Sequence, residues 1–501
     1  MDVRGAIFYE TRYMEARAGM KQFRVLGIVF VSLFLYSCHP SGETACPNSD
    51  LARMYITLSA GEDELLDLDK NFKFSGLCHI LNAGGDTIFD DCFKTIKGRG
   101  HDSWKATKKP YSLKFYDNVS LYGMSPAKSY YLLANAKDAT NLRNAVALDA
   151  SRAFGLGGED YCFVELFVNG LYKGVYQVTT ATKNKQTVQD LKSGYLLYIS
   201  GYEEKAHFVS PAYVAVEIKA PKHLSITEIN HVATYFNAFE EAVMTPDGNH
   251  PVTGQHYSTM IDIPSFAVYY LLQELLCNQD AGAGSVYLYL SDDDSPRLYA
   301  GALWDFDLAM GNPTSHVQCQ VPQVVWAANA KKEAEGHSVG LLYYLCQHED
   351  FRNCVDSIYK LSFTQTLRKS ISDTYNRNGA ILKDTACSEA AKQLEEYMQA
   401  RLEYFDWLHF SPEKKVCLNA VFNSGVLDNK TVQIYVPYGI PVQLPQPRTG
   451  WMSWTTWHES ATGNKIPDET EFTEDTSIEL HWHGLTGLKK DLYKLYVRLR
   501  S

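Results

Sequence analysis

The sequence predicts an α+β fold, with strands and helices in separate stretches of the chain, followed by a smaller strand-rich segment. Residues 54–115 contain short runs in which apolar and polar residues alternate, which is the period of a half-buried strand. Helical patterns dominate residues 340–408, and alternation returns after residue 415. The chain has 501 residues, too many for one ordinary core, and this length fits two or three domains.

The first half of the chain supplies strands, one helix and a hairpin. Alternating runs at 54–58 and 111–115 predict strands. A helix is predicted over 138–154, because its apolar residues share one face and Gly155 provides a stop. The dipeptide 169–170 is Asn-Gly between two strand-like runs, which is the strongest local signal for a two-residue β-hairpin.

Further elements follow in the second half of this region. Helices are predicted over 225–245 and 262–277, and the second begins with Asp262 as its N-cap. Strands are predicted at 285–290 and 298–303. Together with the earlier elements they predict a single α+β domain over residues 54–410.

A composition break, Ser-Pro-Glu-Lys-Lys, occupies residues 411–415 and precedes a strand-patterned region. The order of its Pro, Gly and Trp residues resembles the Listeria–Bacteroides repeat, a small β-grasp-like module of bacterial surface proteins. The resemblance implies one copy over residues 416–484 and a tail over 485–501, and we expect the Trp side chains in its core. His481 and His483 share one strand face, which could bind metal but is more often an exposed strand end. The motif residues are, in order, Val436, Pro437, Tyr438, Gly439, Trp451, Trp454, Trp457 and Trp482.

The N-terminus predicts export. Lys21 and Arg24 precede an apolar run over 25–35, which is too short to span a bilayer but fits a signal peptide. The run ends at Ser37-Cys38 and resembles a lipobox, whose cysteine is acylated. A buried apolar helix is the alternative interpretation.

The processed protein is therefore expected to be anchored to a membrane. We expect translation to start at Met20, a signal peptide over 1–38, a polar tether over 39–53 and a mature protein held through acylated Cys38. This places the protein in the bacterial cell envelope, outside the cytoplasm.

Composition excludes several function classes. The net charge of −11 argues against a nucleic-acid partner, because phosphate binding needs a basic face. No C-x-x-C pair is present, so zinc-ribbon and thioredoxin-type sites are unsupported. The Gly-x-Ser-x-Gly and His-Glu-x-x-His motifs of common hydrolases are also missing from the sequence.

One basic, glycine-containing segment could bind phosphate. Gly98, Arg99 and Gly100 form a turn whose backbone N–H groups could hold an anion. Lys109 and Lys114 follow at the next predicted strand, where a lysine can offset phosphate charge. Many hairpins combine glycine with basic residues, so this pattern alone does not define a site.

Two acidic segments follow it in the chain. Asp280 comes after a predicted helix, and Asp305 and Asp307 come after a predicted strand. Phosphoryl transfer needs one carboxylate at the accepting hydroxyl and another that holds Mg²⁺ at the phosphates. Protein kinases place a glycine-rich loop, a lysine, a catalytic Asp and a metal-binding Asp in this same order. An ordinary helix cap would also explain Asp280.

Taken together, these motifs resemble the CotH (spore coat protein H) family of atypical protein kinases over residues 54–410. The resemblance implies a divergent atypical protein-kinase-like domain, which binds ATP with Mg²⁺ or Mn²⁺ and phosphorylates Ser or Thr in protein substrates. It implies catalysis by Asp280, metal binding by Asp305, Ser285 and Asp307, and cofactor binding by the basic segment. The cofactor-binding residues are Gly98, Arg99, Gly100, Lys109 and Lys114.

Two departures from the family pattern keep a second hypothesis open. Family members often place Asn where this chain has Ser285, and a hydroxyl is a poorer metal ligand than an amide. They also tend to carry Glu where this chain reads Thr-Thr-Ala-Thr, residues 179–182. The alternative function is a catalytically weak or inactive surface protein that binds a nucleotide or a partner.

Overall fold

The computed structural model describes residues 50–59, 63–181, 194–200, 203–281, 284–330, 332–334, 337–422, 431–449 and 453–483. Cys38, the signal peptide, the tether up to residue 49 and the C-terminal tail lie outside these residues, so their predicted roles stay predictions. Within the described ranges, no helix combines the length and the apolar character needed to cross a membrane.

Seven strands form a closed barrel in the N-terminal part of the domain. Their order is β1-β2-β3-β4-β5-β7-β6, and a parallel pairing of β1 with β6 closes it. Alternate side chains of each strand point inward and make one apolar core, and closure leaves no unpaired sheet edge. The elements are β1 (Ala52–Leu58), α1 (Asp63–Leu68), β2 (Phe74–Leu81), β3 (Thr87–Gly98), β4 (Tyr111–Val119), β5 (Ala127–Leu133), β6 (Tyr161–Val168) and β7 (Leu171–Thr180).

The hairpin predicted from the Asn-Gly dipeptide is confirmed. Val168 pairs with Leu171, and the two residues between them have positive φ angles, 46° at Asn169 and 80° at Gly170. A two-residue turn of this kind needs left-handed backbone at both positions, which Asn and Gly tolerate best.

Helix α2 (Arg143–Ala153) follows β5 in the chain and begins five residues later than predicted. The carboxylate of Asp138 accepts hydrogen bonds from the backbone N–H groups of Thr140 (3.0 Å) and Arg143 (2.9 Å), and it pairs with the Arg143 guanidinium at 2.6 Å. These bonds shape residues 138–142 as a buried turn. Asp138 therefore precedes the helix and does not lie in its first turn.

A second layer contains a five-stranded sheet of order β12-β11-β8-β10-β9. One face of this sheet packs against the helices and forms the largest apolar core, and the opposite face carries Tyr198, Tyr287 and Tyr289. The Asp262 cap is confirmed, because its side chain accepts the Ser265 N–H at 2.9 Å. The elements are β8 (Gly194–Ile199), β9 (Phe208–Val209), β10 (Ala215–Ala220), α3 (Ile226–Met244), α4 (Ile263–Leu275), β11 (Val286–Ser291) and β12 (Leu298–Ala300).

Two of the remaining helices pack against α4, and a buried ion pair joins α4 to the last of them. Arg401 and Glu274 are almost completely buried and lie 2.8 Å apart. The same guanidinium bonds to the backbone carbonyls of Glu274 and Leu275, so it holds the last turn of α4. The elements are β13 (Lys332–Ala334), β14 (His337–Val339), α5 (Leu341–Leu345), α6 (Glu349–Tyr359), α7 (Phe363–Arg377) and α8 (Thr385–Phe410).

The C-terminal segment is a four-stranded sheet of order β16-β15-β18-β17, in which the central pair is parallel. Its apolar side chains belong to the same core as the helices. Trp457 is buried there as expected, but Trp454 is 57% exposed, because alternation places it on the outer face. The domain limits and the repeat assignment stay predictions. The strands are β15 (Lys415–Val421), β16 (Thr431–Pro437), β17 (Ser453–Glu459) and β18 (Thr476–His483).

Candidate active site

A cleft separates the end of the barrel from α2 and from the segment that follows β12. It holds about 640 Å³ of space that is continuous with solvent. Its floor is apolar and its rim carries both cations and carboxylates, which is the composition expected of a site for a charged small molecule. The floor includes Leu133, Ala147, Leu148 and Leu303, and the rim includes Arg99, Asn135, Lys137, Asn144, Asp305 and Asp307.

Asp305 lines this cleft and contacts Ser285, a residue that the sequence assigns to the same metal site. The Ser285 hydroxyl donates to Asp305 Oδ2 at 3.2 Å, although the two residues are 20 positions apart. Both have left-handed backbone, with φ of 67° at Asp305 and 55° at Ser285. Such a conformation costs a residue with a side chain about 1 to 2 kcal/mol, and it is enriched at functional sites.

Asp307 lies in the same cleft but in a different electrostatic environment. Burial raises its pKa to about 7, and the negative charges of Asp305, Asp138 and Asp280 contribute to the rise. Lys137 acts in the opposite direction and lowers the Asp307 pKa. The carboxylates that the sequence places in separate motifs therefore act on one another in the folded chain.

Asp280 is half-buried and does not line the cleft, although its charge reaches Asp307. The loop that carries it is held by residues that sequence reasoning missed. Trp326 Nε1 donates to the Asn278 carbonyl at 2.7 Å, and the His316 N–H donates to Gln279 Oε1 at 3.0 Å. Nothing in the local sequence marks Trp326 or His316 as partners of this loop.

Packing explains why both positions of the basic segment, 98 and 100, are glycine. A Cβ at Gly98 would lie 2.4 Å from Cζ3 of Trp104. Gly100 has a φ of 82°, and a Cβ there would lie 2.0 Å from the Ser103 Oγ. Neither glycine lines the cleft, whereas Arg99 between them does, with its guanidinium 4.2 Å from the centre of the Tyr131 ring.

The two lysines singled out in the sequence point elsewhere. Lys109 Nζ donates to the Trp104 carbonyl at 2.8 Å, and Lys114 is exposed on the outside of β4. Neither residue lines the cleft. Lys137 does line it, immediately after β5, and it is exposed. Its position identifies it as a cation that faces the acidic residues, a role that its sequence neighbours did not reveal.

Helix α2 fastens the acidic segment in place. Asn144 Oδ1 accepts the Phe306 N–H at 2.7 Å, directly between Asp305 and Asp307. The Arg143 guanidinium donates to the Ala309 carbonyl at 2.9 Å. The buried turn at Asp138 therefore positions both the start of α2 and the segment that carries the two carboxylates.

The second departure from the family pattern is the missing Glu near Thr180, and another carboxylate lies next to Thr180 in the structure. The Thr180 hydroxyl donates to the carboxylate of Glu159, and both side chains are buried. Glu159 comes from the segment before β6, so a carboxylate reaches this end of β7 from another part of the chain. Thr182 lies outside the described residues.

The oxygen donors in the cleft fit a hard divalent cation. Magnesium in proteins commonly binds one or two carboxylates together with water and substrate phosphates. Asp305 and Asp307 supply carboxylates, and Ser285 supplies a hydroxyl beside Asp305. Across the described ranges, no group of three or more His, Cys, Asp or Glu side chains is arranged to hold a metal ion by itself.

Comparison with known families decides the relationship. The family described as CotH kinase protein matches residues 96–405, which is more than half of the chain and includes every predicted site residue. The chain belongs to the CotH kinase family. The matched region begins in β3 of the barrel and ends within α8, so β1, β2 and the C-terminal sheet lie outside it.

Solved structures with similarity to this CotH-family chain include the Helicobacter pylori proinflammatory kinase CtkA. The sequence identity is 11% and the TM-score is 0.29, over 59% of this chain and 92% of CtkA. A comparison with curated proteins found no similar sequence.

Proposed function

We propose that this chain is a secreted, lipid-anchored protein kinase that transfers phosphate from ATP to Ser or Thr of envelope or extracellular proteins. The observation that carries the proposal is the Ser285–Asp305 contact of 3.2 Å, beside a cleft rimmed by Asp307, Arg99 and Lys137. Membership of the CotH kinase family supports it. The envelope location and the anchor at Cys38 rest on the sequence.

Each residue has a distinct role in this proposal. A bound Mg²⁺ or Mn²⁺ would offset the charge of the ATP phosphates, and Asp305 and Asp307 would hold it. Arg99 and Lys137 face the same cleft, where their charges favour a polyanionic ligand. Asp280 orients the accepting Ser or Thr hydroxyl and takes its proton during transfer.

The alternative function is a nucleotide- or partner-binding surface protein with little or no catalysis. Ser285 favours it, because a hydroxyl stands where family members often place an amide. The backbone at residue 285 is left-handed, a conformation that Asn adopts more readily than Ser. The substitution Ser285→Asn is therefore compatible with the local backbone and tests the alternative directly.

The experiment compares binding with transfer in full-length protein purified in detergent. Asp305→Ala should weaken Mn²⁺-dependent ATP binding by about tenfold or more. Asp280→Ala should keep that binding while phosphate transfer falls by about 10² or more. Asp468→Ala removes an exposed carboxylate from the loop between β17 and β18 and should change neither. If Asp305→Ala binds ATP and Mn²⁺ as tightly as wild type, the metal assignment is wrong.

The Ser285→Asn variant separates the two functions. A detuned kinase should transfer phosphate faster once an amide oxygen is available at this position. If wild type and Ser285→Asn both bind ATP with Mn²⁺ and neither transfers phosphate, the binding-protein alternative replaces the kinase.

A further inference from the structure

Three histidines and a glutamate occupy the outer face of the C-terminal sheet. In the pairing of β17 with β18, Thr456 lies opposite His481, and His458 lies opposite Glu479. Trp454 lies opposite His483 at the end of the same face. Directly opposite residues of an antiparallel pair share a face, so all six side chains project to one side. The other side carries the buried Trp457–Leu480 pair.

The three imidazoles are close together. The rings of His458 and His481 are stacked, with centroids 3.9 Å apart and planes at 15°. The Thr456 Oγ1 is 2.9 Å from His458 Nε2 and 2.7 Å from His483 Nε2. One hydroxyl therefore separates the nitrogens of two histidines that are 25 residues apart in the sequence.

The hydrogen bonds of His458 fix which of its nitrogens can bind a cation. Its Nδ1 lies 2.9 Å from the Gly463 carbonyl, which can only accept, so Nδ1 carries the proton. In the neutral ring Nε2 then presents its lone pair toward Thr456. A backbone carbonyl on the remote nitrogen is the usual way that metal-binding histidines are oriented. His481 Nε2 lies 2.9 Å from Glu479 Oε1, so a carboxylate is also within reach.

We infer that His458 and His483 form a binding site for a late first-row divalent cation such as Cu²⁺ or Zn²⁺, with His481 as a third ligand. Imidazole nitrogen is a preferred ligand of these ions. In the described chain no three such side chains already surround one point, so binding requires Thr456 and His481 to rotate. These side chains are only partly buried, so the rotation does not disturb the core.

The test is a Cu²⁺ titration of metal-free full-length protein, followed by electron paramagnetic resonance at one equivalent. The spectrum should show splitting from two or three imidazole nitrogens. His458→Ala and His483→Ala should each weaken binding by about tenfold or more. Thr456→Val removes the hydroxyl but keeps the ligands, so its nitrogen splitting should remain.

Two controls keep the inference open to refutation. His79→Ala removes a partly exposed histidine of the barrel and should leave the signal unchanged. Asp305→Ala should also leave it unchanged, which separates this site from the cleft. The inference is overturned if the His458→Ala, His483→Ala double variant binds Cu²⁺ as tightly as wild type, or if wild type shows no nitrogen splitting. Either result would make the cluster a hydrogen-bonded surface patch.

Discussion

The contacts of the buried Arg401–Glu274 pair predict how much unfolding free energy is lost when Arg401 is replaced. The guanidinium is fully buried and bonds to one carboxylate and to backbone carbonyls from two segments. Removing it by Arg401→Met strands the Glu274 carboxylate, whose pKa burial already raises. Breaking a buried ion pair costs about 3 to 5 kcal/mol, a large part of the 5 to 15 kcal/mol that stabilises a typical domain. The carbonyls that lose their donor belong to Glu274, Leu275, Pro322 and Val324.

Urea denaturation, followed by tryptophan fluorescence and circular dichroism, measures this cost. Glu274→Gln is the milder variant, because an amide oxygen can still accept a hydrogen bond from the backbone N–H of Trp326, whose nitrogen lies 2.8 Å from Glu274 Oε1 in wild type. We expect Arg401→Met to lose about 3 to 5 kcal/mol of unfolding free energy and Glu274→Gln to lose less. The double variant Glu274→Met, Arg401→Met should be more stable than Arg401→Met alone, since no unpaired charge remains.

The matched control is Lys392→Met on the exposed side of α8, where Lys392 and Glu396 are 4.0 Å apart. A surface pair at this distance contributes about 0 to 1 kcal/mol, so this change should be nearly neutral. If Arg401→Met costs no more than Lys392→Met, the pair does not stabilise the end of α4 as described.

Three further outcomes are expected. Lys137→Ala should weaken Mn²⁺-dependent ATP binding, measured by calorimetry, about tenfold, whereas Lys114→Ala outside the cleft should not weaken it. Equal effects of the two variants on ATP binding would contradict the assignment of Lys137. Burial lowers the pKa of Lys108 to about 8, so between pH 8 and 10 the unfolded chain binds more protons and stability should rise with pH. Over this pH range, denaturation curves should show that the unfolding free energy of wild type rises by up to about 3 kcal/mol relative to that of Lys108→Met. If the unfolding free energies of the two proteins depend on pH in the same way, the lowered pKa of Lys108 is refuted. Cys38→Ala should abolish fatty-acid labelling in cells, and an unlabelled wild type would exclude the anchor.

Much of the fold was predictable because its signals are local. The Asp262 cap, the Asn169-Gly170 turn and the alternating strands each depend on a few adjacent residues. The parallel closure of the barrel was not predicted, because the pairing of β1 with β6 joins segments more than 100 residues apart. The start of α2 was predicted too early, because the hydrogen bonds of Asp138 to Thr140 and Arg143 shape residues 138–142 as a turn despite their helix-like periodicity.

The candidate site was likewise only partly predictable from the sequence. Ser285 and Asp305, which the sequence assigns to one metal site, are in contact, and Asp307 lines the same cleft as Asp305. Their role in metal binding stays a prediction. The glycines and lysines of the basic segment were chosen by residue type, and packing against Trp104 accounts for Gly98 and Lys109. Arg99 and Lys137 both line the cleft, and only Arg99 was singled out from the sequence. Lys137 has no sequence signal of its own, because its position depends on where β5 ends.

The C-terminal sheet is connected to the loop that carries Asp280 through two adjacent residues. The Val325 N–H donates to the Gln433 carbonyl of β16 at 2.9 Å, which joins this segment to the sheet. The next residue, Trp326, donates its Nε1 to the Asn278 carbonyl at 2.7 Å, two residues before Asp280. Because adjacent residues share a rigid peptide plane, displacement of β16 would move Trp326 as well. A sheet outside the family-matched region therefore supports the loop on which phosphate transfer would depend.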